Sequence, residues 1–182
     1  MNLIDHWIDG VARVPSPNFG ARPDAGDISL IVLHCISLPP GEFGSSAINE
    51  LFTNTLDPAA HPYYAGLGHL RVSAHLLIRR SGEIVQYVRF VDCAFHAGLS
   101  SFRGRPRCND FSIGIELEGT DDRPYEDAQY GSLLPVLAAL LRTYPGLSRD
   151  RIVGHSDITP ERKTDPGPWF DWSRLRLSER SG

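Results

Sequence analysis

The strongest constraint on the fold is an apolar run in residues 29–35, which reads Ser-Leu-Ile-Val-Leu-His-Cys. Branched and apolar side chains at consecutive positions predict a buried strand, because a strand with one solvent-exposed face would alternate between apolar and polar side chains. The run reaches His34 near its end, so an imidazole is expected where the strand leaves the core. The rest of the chain has to supply the layers that cover this strand.

Two more regions have the pattern of strands. Residues 75–80 and 83–88 are β-favouring runs joined by a Ser-Gly pair, and they predict a hairpin with a two-residue turn. Residues 111–118 alternate strictly between apolar and other side chains. This alternation places Glu116 and Glu118 on the face opposite the apolar residues.

Apolar residues at helical spacing mark two segments. Residues 47–54 predict a short helix that Ser45 or Ser46 can cap. Residues 126–144 predict a longer helix, which Pro135 should kink or interrupt near its middle.

The order of these elements predicts an α/β (α+β) fold, a single domain with a central mixed β-sheet flanked by helices. A length of 182 residues and a hydrophobic content of 41% suit one such domain over residues 1–182. Residues 1–27 are rich in proline and glycine and are expected to form a surface arm. Residues 28–175 are expected to form the core.

Charge and composition exclude several classes of function. A net charge of −4 gives no long-range attraction to nucleic acid or to an anionic membrane. No window approaches the roughly 20 apolar residues of a membrane span, and no basic region precedes an apolar run, so a cytoplasmic location is expected. The three cysteines are widely spaced, which predicts reduced thiols and neither a disulfide framework nor a cysteine-rich zinc finger.

A candidate zinc site combines residues that are far apart in sequence. His34 and His155 each follow a predicted strand, and Asp165 lies in a proline-rich loop that could reach the same point. A hydrolytic zinc site uses three such ligands and keeps a fourth position open. By spacing alone the signal is weak, since a histidine that ends a strand is often structural and an aspartate before proline is often a turn residue.

Two further residues could act beside this metal. Glu116 lies on the polar face of its strand and could accept a proton from water and pass it to a leaving amine. Lys163 could stabilise the oxyanion of a tetrahedral intermediate. The plainer interpretations are a solvated strand carboxylate and a surface lysine in a charged run.

Long, specific motifs lie along the chain. They are Leu33-His-Cys-Ile-Ser-Leu-Pro-Pro-Gly-Glu-Phe-Gly44, Asp57-Pro58 with His61-Pro62, Ser73-Ala-His75, Ile78-Arg-Arg80, His96-Ala-Gly98, Arg107-Cys-Asn-Asp-Phe-Ser-Ile-Gly-Ile-Glu-Leu-Glu-Gly119, Asp127-Ala-Gln-Tyr130 and Arg162-Lys-Thr-Asp-Pro-Gly167. With these motifs the chain resembles the AmpD-type 1,6-anhydro-N-acetylmuramoyl-L-alanine amidases over about residues 14–172. This family belongs to a group of zinc amidases that also contains phage lysozyme-like amidases and peptidoglycan recognition proteins.

The resemblance implies that Zn²⁺ is held by His34, His155 and Asp165, with Glu116 and Lys163 in the catalytic roles given above. The implied substrate is an anhydromuropeptide. The implied reaction cleaves the amide between the lactyl group of anhydromuramic acid and the L-alanine of the stem peptide, during cell-wall recycling. The protein is expected to act as a monomer.

Four residues are expected to bind this substrate. Arg71 and Arg107 are expected to bind carboxylates of the stem peptide, since the guanidinium fork fits carboxylate geometry. His96 lies in a glycine-containing loop and is expected to line the cleft, and Cys35 follows the first zinc histidine. The chain departs from the family pattern at Cys35, where asparagine is expected, and at Phe95, where tryptophan is expected. Both departures concern substrate contacts.

Three alternatives remain at this point. A non-catalytic muropeptide sensor would be signalled by loss of a zinc ligand, and all three are present. A second alternative is an amidase for intact peptidoglycan, periplasmic or phage-derived. The absence of a signal-peptide pattern opposes an exported form, and a comparison of 1,6-anhydro with reducing-end muropeptides would decide the substrate. A cysteine hydrolase that uses Cys35 or Cys108 would resist chelators and be sensitive to thiol reagents.

Overall fold

A six-stranded mixed sheet lies at the centre of the protein, in a computed structural model that describes residues 1–175. The three α-helices of this region are α1 (Ala47–Thr53), α2 (Asp127–Thr143) and α3 (His155–Ile158). Short 3₁₀ helices cover Pro62–Gly66, Cys108–Asp110, Arg149–Arg151 and Trp172–Leu175. The strands are β1 (Leu3–Ile4), β2 (Trp7–Ile8), β3 (Ala12–Arg13), β4 (Phe19–Gly20), β5 (Leu30–Ile36), β6 (Leu76–Ile78), β7 (Ile84–Gln86), β8 (Cys93–Ala94), β9 (Ser101–Phe102), β10 (Arg105–Pro106), β11 (Ser112–Glu118) and β12 (Ile152–Gly154).

The two seven-residue strands β5 and β11 are neighbours in the middle of the sheet. The strand order is β12-β5-β11-β6-β7-β3, and β5 is parallel to both β11 and β12. Strand β6 is parallel to β11, and the β6–β7 pair is antiparallel. Residues 30–34 of β5 are buried, as the apolar run predicts. The predicted α/β fold with a central mixed sheet is therefore confirmed.

Helices cover both faces of the sheet. The apolar face of β11 packs on α2. Ile115, Leu133 and Leu137 belong to one apolar cluster there, which we call the α2 cluster. On the other face, α1 buries Ile48 and Phe52 in a second cluster that includes residues of β6 and β7. The alternation in 111–118 thus separates an α2 face from the face that carries Gly114, Glu116 and Glu118.

Helix α2 differs from the prediction at its middle. It runs from Asp127 to Thr143 without interruption, although Pro135 lies inside it. Proline removes one backbone hydrogen bond and leaves the carbonyl of Gly131 without its helical donor. Both residues lie on the exposed side of the helix. Water can satisfy the freed carbonyl there, while the buried leucines hold the helix on the sheet.

The predicted hairpin is present, but its turn is longer than predicted. The N–H of Arg79 donates to the carbonyl of Glu83, and the N–H of Gly82 donates back to Arg79, which leaves a three-residue loop. Gly82 has φ = 85°, the left-handed conformation that such loops require at their last position. A side chain there would also collide with α2, because a Cβ would lie 2.8 Å from the carbonyl oxygen of Ala128.

The N-terminal segment is extended and joins the sheet. Its β3 pairs with β7 at the sheet edge, and Ile8 is buried in the α2 cluster. The guanidinium of Arg22 is buried and donates to the carbonyls of Asn109 and Ser112 at 3.0 and 2.8 Å. The division into a 1–27 arm and a 28–175 core stays a prediction, but this segment contributes contacts to the interior.

Within residues 1–175, no helix has the length and apolar character needed to cross a membrane.

A fully buried histidine, His75, lies beside the central strand. Its Nδ1 accepts from the N–H of Gly114 at 3.0 Å, so its proton is on Nε2, which donates to the carbonyl of Asp92 at 3.1 Å. Burial lowers the pKa of His75 to about 3, and the nearby charge of Arg22 acts in the same direction. His75 therefore stays neutral in the folded protein at pH values where the unfolded chain would protonate it.

We expect His75→Gln to change how stability depends on pH. The folded pKa is depressed, so the contribution of His75 is complete above about pH 6.5 and is lost as pH falls towards about 3. The loss should be on the order of 1 kcal/mol per pH unit for this group. Urea unfolding of both proteins between pH 7.5 and 4 checks this: the variant is less stable at neutral pH but has the shallower pH dependence. Parallel curves would contradict the assignment.

Candidate metal centre

Three side chains converge at the carboxyl-terminal edge of the sheet. His34 comes from β5, His155 is the first residue of α3 directly after β12, and Asp165 comes from the loop that follows. The Nδ1 atoms of the two histidines are 3.0 Å apart. The Asp165 Oδ2 atom is 3.3 Å from Nδ1 of His34 and 3.1 Å from Nδ1 of His155. The predicted ligand set is thus together in one place.

These distances suit a shared cation. Ligands at the usual zinc distances of about 2.0–2.1 Å in a tetrahedron lie roughly 3.3 Å from one another. Burial lowers the pKa of His34 to about 4, so its ring is neutral at pH 7. Burial raises the pKa of Asp165, but hydrogen bonds from His155 and His34 outweigh this effect, and its net pKa is well below the usual value. A neutral imidazole and an ionised carboxylate are the forms that bind a metal.

The loop that carries Asp165 is fixed from two sides. The N–H of Ser156 donates to the Asp165 carbonyl at 3.0 Å, and the hydroxyl of Tyr125 donates to the Pro166 carbonyl at 2.8 Å. Gly167 has φ = 82° and packs so closely on the backbone of Asp121 that a Cβ would lie 2.3 Å from its carbonyl oxygen. The proline-rich loop is therefore held in place by contacts on both sides of the carboxylate.

Glu116 lies beside this trio and has no partner for one oxygen. In the β5–β11 register it is directly opposite His34. The residue is 9% exposed, and its Oε2 atom is buried without a hydrogen bond in the described part of the chain. Burial raises its pKa well above the usual value, the negative charge of Asp165 raises it further, and Lys163 opposes both effects. A buried polar atom without a partner is costly, which indicates a place for a ligand.

The trio opens into a cleft formed by two adjoining cavities. The first cavity, of about 220 Å³, is lined by His34, Glu116 and Asp165 among others. A second cavity of about 440 Å³ shares five wall residues with it, including His155 and Lys163. The shared residues make these cavities one cleft, which reaches the metal centre.

The four predicted substrate-binding residues lie at different positions relative to the cleft. Arg71 is in the wall of the second cavity. Cys35 is in the wall of the first cavity and also packs against the α2 cluster. Arg107 is exposed, pairs with Asp110 at 2.9 Å and is outside the walls of both cavities. His96 reaches the cleft, but its Nδ1 lies 2.9 Å from Nε2 of His34. Their roles in substrate binding stay predictions.

Arg162 was not among the predicted residues, although it lies in the second cavity and donates to the carbonyl of Leu99 at 3.0 Å. The sequence places it in a charged run and at the start of one family-like motif, but neither pattern gave it a role. Asn109 and Ala97 were also missed, and no spacing rule singles out either residue. Their contacts with the histidines are described below.

A larger cavity of about 560 Å³ lies away from this centre, at the β3 edge of the sheet. Both of its acidic residues are paired with Arg79, Glu83 at 3.5 Å and Glu118 at 3.3 Å, and Glu118 also accepts from the N–H groups of Gly44 and Arg80. The Glu118 carboxylate is saturated, unlike that of Glu116. The chemistry therefore points to the cleft beside Glu116.

The cysteines do not fit a nucleophilic role. Burial raises the pKa of Cys35 to about 12, and it raises the pKa values of Cys93 and Cys108 as well. The thiolate is the reactive form, so these thiols are poor nucleophiles at neutral pH. A cysteine hydrolase therefore finds no support in this site.

The comparison with known proteins decides the family. Residues 24–168 match the family described as N-acetylmuramoyl-L-alanine amidase. The chain belongs to this family. The 1,6-anhydro-N-acetylmuramyl-L-alanine amidase AmpD of Citrobacter freundii is 61% identical over 97% of this amidase and 94% of its own length. The resemblance that the motifs predicted is confirmed.

Solved structures agree with this assignment. A crystal structure of a selenomethionine derivative of AmpD has a TM-score of 0.94 to this amidase, with 61% identity over 97% of this chain and 98% of that one. The amidase AmiD of E. coli, in complex with the substrate anhydro-N-acetylmuramic acid-L-Ala-D-γ-Glu-L-Lys, has a TM-score of 0.61. It is 31% identical, over 82% of this chain and 56% of that one.

We expect the amidase to bind Zn²⁺ and Asp165→Ala to lose it. Asp165 supplies the one anionic ligand, so its removal should weaken binding by more than the roughly 10- to 100-fold that changes outside the ligand set cause. Elemental analysis after dialysis against buffered zinc measures the content. His69→Ala is the matched control, since this exposed histidine is outside the ligand cluster. Equal zinc content in wild type and Asp165→Ala would rule out this site.

Proposed function

We propose that this amidase uses Zn²⁺ to hydrolyse the amide bond between 1,6-anhydro-N-acetylmuramic acid and the L-alanine of muropeptides in cell-wall recycling. The observation that carries the proposal is the placement of three convergent ligand atoms beside the unpartnered carboxylate of Glu116. The names of the relatives support the same reaction. The AmiD complex supports an anhydromuropeptide as the ligand of the cleft.

The charge of the cleft suits the stem peptide. Arg71, Arg162 and Lys163 are basic residues in the wall of the second cavity. A stem peptide carries several carboxylates, and guanidinium groups bind carboxylates in a bidentate manner. The peptide is therefore expected along the second cavity, with its first amide bond beside Glu116 in the first cavity.

His34, His155 and Asp165 would hold the zinc ion. When bound, Zn²⁺ would supply Lewis acidity, which polarises a carbonyl and makes water more acidic. Glu116 accepts a proton from the attacking water as it adds to the lactyl carbonyl. The same carboxyl group then gives this proton to the departing alanine nitrogen, because a neutral amine is a far better leaving group than a deprotonated amine.

Lys163 is placed to stabilise charge in the tetrahedral intermediate. It lies in the wall of both cavities, and no carboxylate of residues 1–175 pairs with it within 4.0 Å. An ammonium group without a partner is available to a developing oxyanion. We assign it this role in the proposal.

We also propose that the protein is cytoplasmic and monomeric. The cysteines of the described chain are all free, which suits a reducing compartment. The substrate and the net charge give no reason to expect nucleic acid or membrane as a partner. A non-catalytic sensor is not favoured by any observation, since the ligand set is complete.

Turnover of anhydromuramyl tripeptide tests the function. The zinc-loaded protein should release the free peptide and anhydromuramic acid, detected by mass spectrometry, and a chelator should stop the reaction. Muropeptides with a reducing end serve as the comparison, because faster cleavage of these would assign the enzyme to ordinary peptidoglycan fragments. Binding of the tripeptide without cleavage would sink the proposal in favour of a sensor.

We expect Glu116→Gln to lower kcat by about 10²- to 10⁴-fold, the usual contribution of a general acid–base group. Zinc content should stay near that of wild type, since Glu116 is not in the ligand set. Steady-state kinetics with parallel metal analysis separates the two effects. Glu161→Gln makes the same chemical change at an exposed residue outside both cavities and should retain full activity. A variant that keeps wild-type kcat would remove Glu116 from the mechanism.

We expect Arg71→Ala to raise KM about 10-fold for a diaminopimelate-containing substrate, with a smaller effect on kcat, because it removes a charged hydrogen bond to the peptide. The sequence predicts the same result for Arg107→Ala. From its position outside the cavity walls, Arg107 should have the weaker effect unless the substrate reaches beyond them. Arg149→Ala, an exposed arginine in a distant 3₁₀ helix, is the control. An unchanged KM for Arg71→Ala would refute its assignment.

A further inference from the structure

The outward-facing nitrogens of both candidate zinc histidines meet one short segment, residues 96–97. His34 Nε2 is 2.9 Å from Nδ1 of the His96 ring. His155 Nε2 is 3.4 Å from the carbonyl oxygen of Ala97, a longer and weaker contact. Adjacent residues thus contact both histidines on the side opposite the metal centre, one through its side chain and the other through its backbone.

The protons on these rings follow from the contacts. A histidine that presents an Nδ1 lone pair to a metal carries its proton on Nε2. His155 Nε2–H then donates to Ala97, and His34 Nε2–H donates to Nδ1 of His96. That bond makes His96 the acceptor at Nδ1, so its own proton is on Nε2, which lies 3.1 Å from the hydroxyl of Ser112. With a metal on the Nδ1 atoms of His34 and His155, the three rings therefore share one tautomer, each with a partner for its Nε2–H group.

The 96–97 segment is itself held in position. The side-chain oxygen of Asn109 accepts from the N–H groups of His96 and Ala97 at 3.1 and 2.8 Å. Gly114 makes room for the ring, because a Cβ there would lie 2.3 Å from Cγ of His96. Arg22 in turn donates to the carbonyls of Asn109 and Ser112. These contacts hold the backbone of the segment and leave space for the imidazole of His96 against β11.

We propose that His96 and Ala97 are positioning residues, which hold His34 and His155 in the tautomer and orientation that bind Zn²⁺. The inference rests on the metal site of the proposed function and gives His96 a role behind the metal, distinct from contact with substrate. Partners of this kind orient metal ligands, and their loss costs about 10- to 100-fold in metal affinity.

Two substitutions at His96 separate positioning from packing. Asparagine places an amide oxygen near the position of Nδ1 and can accept from His34, whereas leucine fills similar space without an acceptor. We expect His96→Leu to weaken Zn²⁺ binding about 10- to 100-fold in a competition assay with a chelating dye. His96→Asn should retain most of the affinity. Phe95→Leu, a change at the neighbouring cleft residue, should bind zinc as wild type does.

The stability of the metal-free proteins provides a second readout. If His96 served only to fill the core, leucine should be tolerated better than asparagine in both stability and zinc affinity, because a buried apolar group needs no partner. The proposal requires the opposite order for affinity, whichever variant is the more stable. Equal zinc affinity of wild type and His96→Leu would overturn it. A wild-type protein that binds no zinc would instead overturn the proposed function.

The wild-type protein also tests the tautomer directly. Long-range ¹H–¹⁵N spectra of the zinc-loaded protein should show His96 with a bare Nδ1 and a protonated Nε2. If Nδ1 of His96 carried the proton, it and Nε2 of His34 would both be donors, and no hydrogen bond could join the two rings. That result would overturn the proposal without any variant.

Discussion

The candidate site depends on the parallel pairing of β5 with β11 and β12. Parallel strands end at the same edge of a sheet, so His34, Glu116 and His155 emerge side by side although they are widely separated in sequence. The register decides the chemistry, because a shift of one residue between β5 and β11 would turn either His34 or Glu116 to the α2 face. The apolar run that fixes β5 in the core therefore also fixes the position of His34, the first candidate metal ligand.

Burial gives the site its reactivity and also makes it costly to build. The trio and Glu116 bring several titratable groups out of water, and two of them are carboxylates that repel each other. A cation between the carboxylate and the two imidazoles would offset part of this cost, which links metal binding to stability. Without such a cation, the surrounding hydrogen bonds have to hold the groups in place. The N-terminal segment takes part in this through Arg22, which reaches the strand behind the site.

The sequence predicted those features that depend on pattern. The buried run, the alternation in 111–118 and the motif resemblance located the sheet, the polar face and the ligand trio. Features that depend on tertiary packing were predicted less well. Pro135 is compatible with a continuous helix because it lies on the exposed side. The hairpin turn is one residue longer than predicted and places Gly82, in the left-handed conformation, close to α2. The contact from Ala97 uses a backbone carbonyl, which every residue carries, so no residue type could reveal it.

One face of β11 shows how closely position and role are connected. Four alternate residues point to that face, and each meets a different demand. Ser112 and Gly114 accommodate the ring of His96, Glu116 faces the metal centre, and Glu118 is neutralised by Arg79. The two glutamates are only two residues apart, yet one carboxylate is saturated by donors and the other keeps a free oxygen. The difference lies in the neighbouring strands and loops, since only at Glu118 do arginine and backbone N–H groups approach. The sequence of the strand alone therefore identifies two candidate carboxylates, and the packing around them leaves Glu116 as the one with an oxygen free for the role proposed for it.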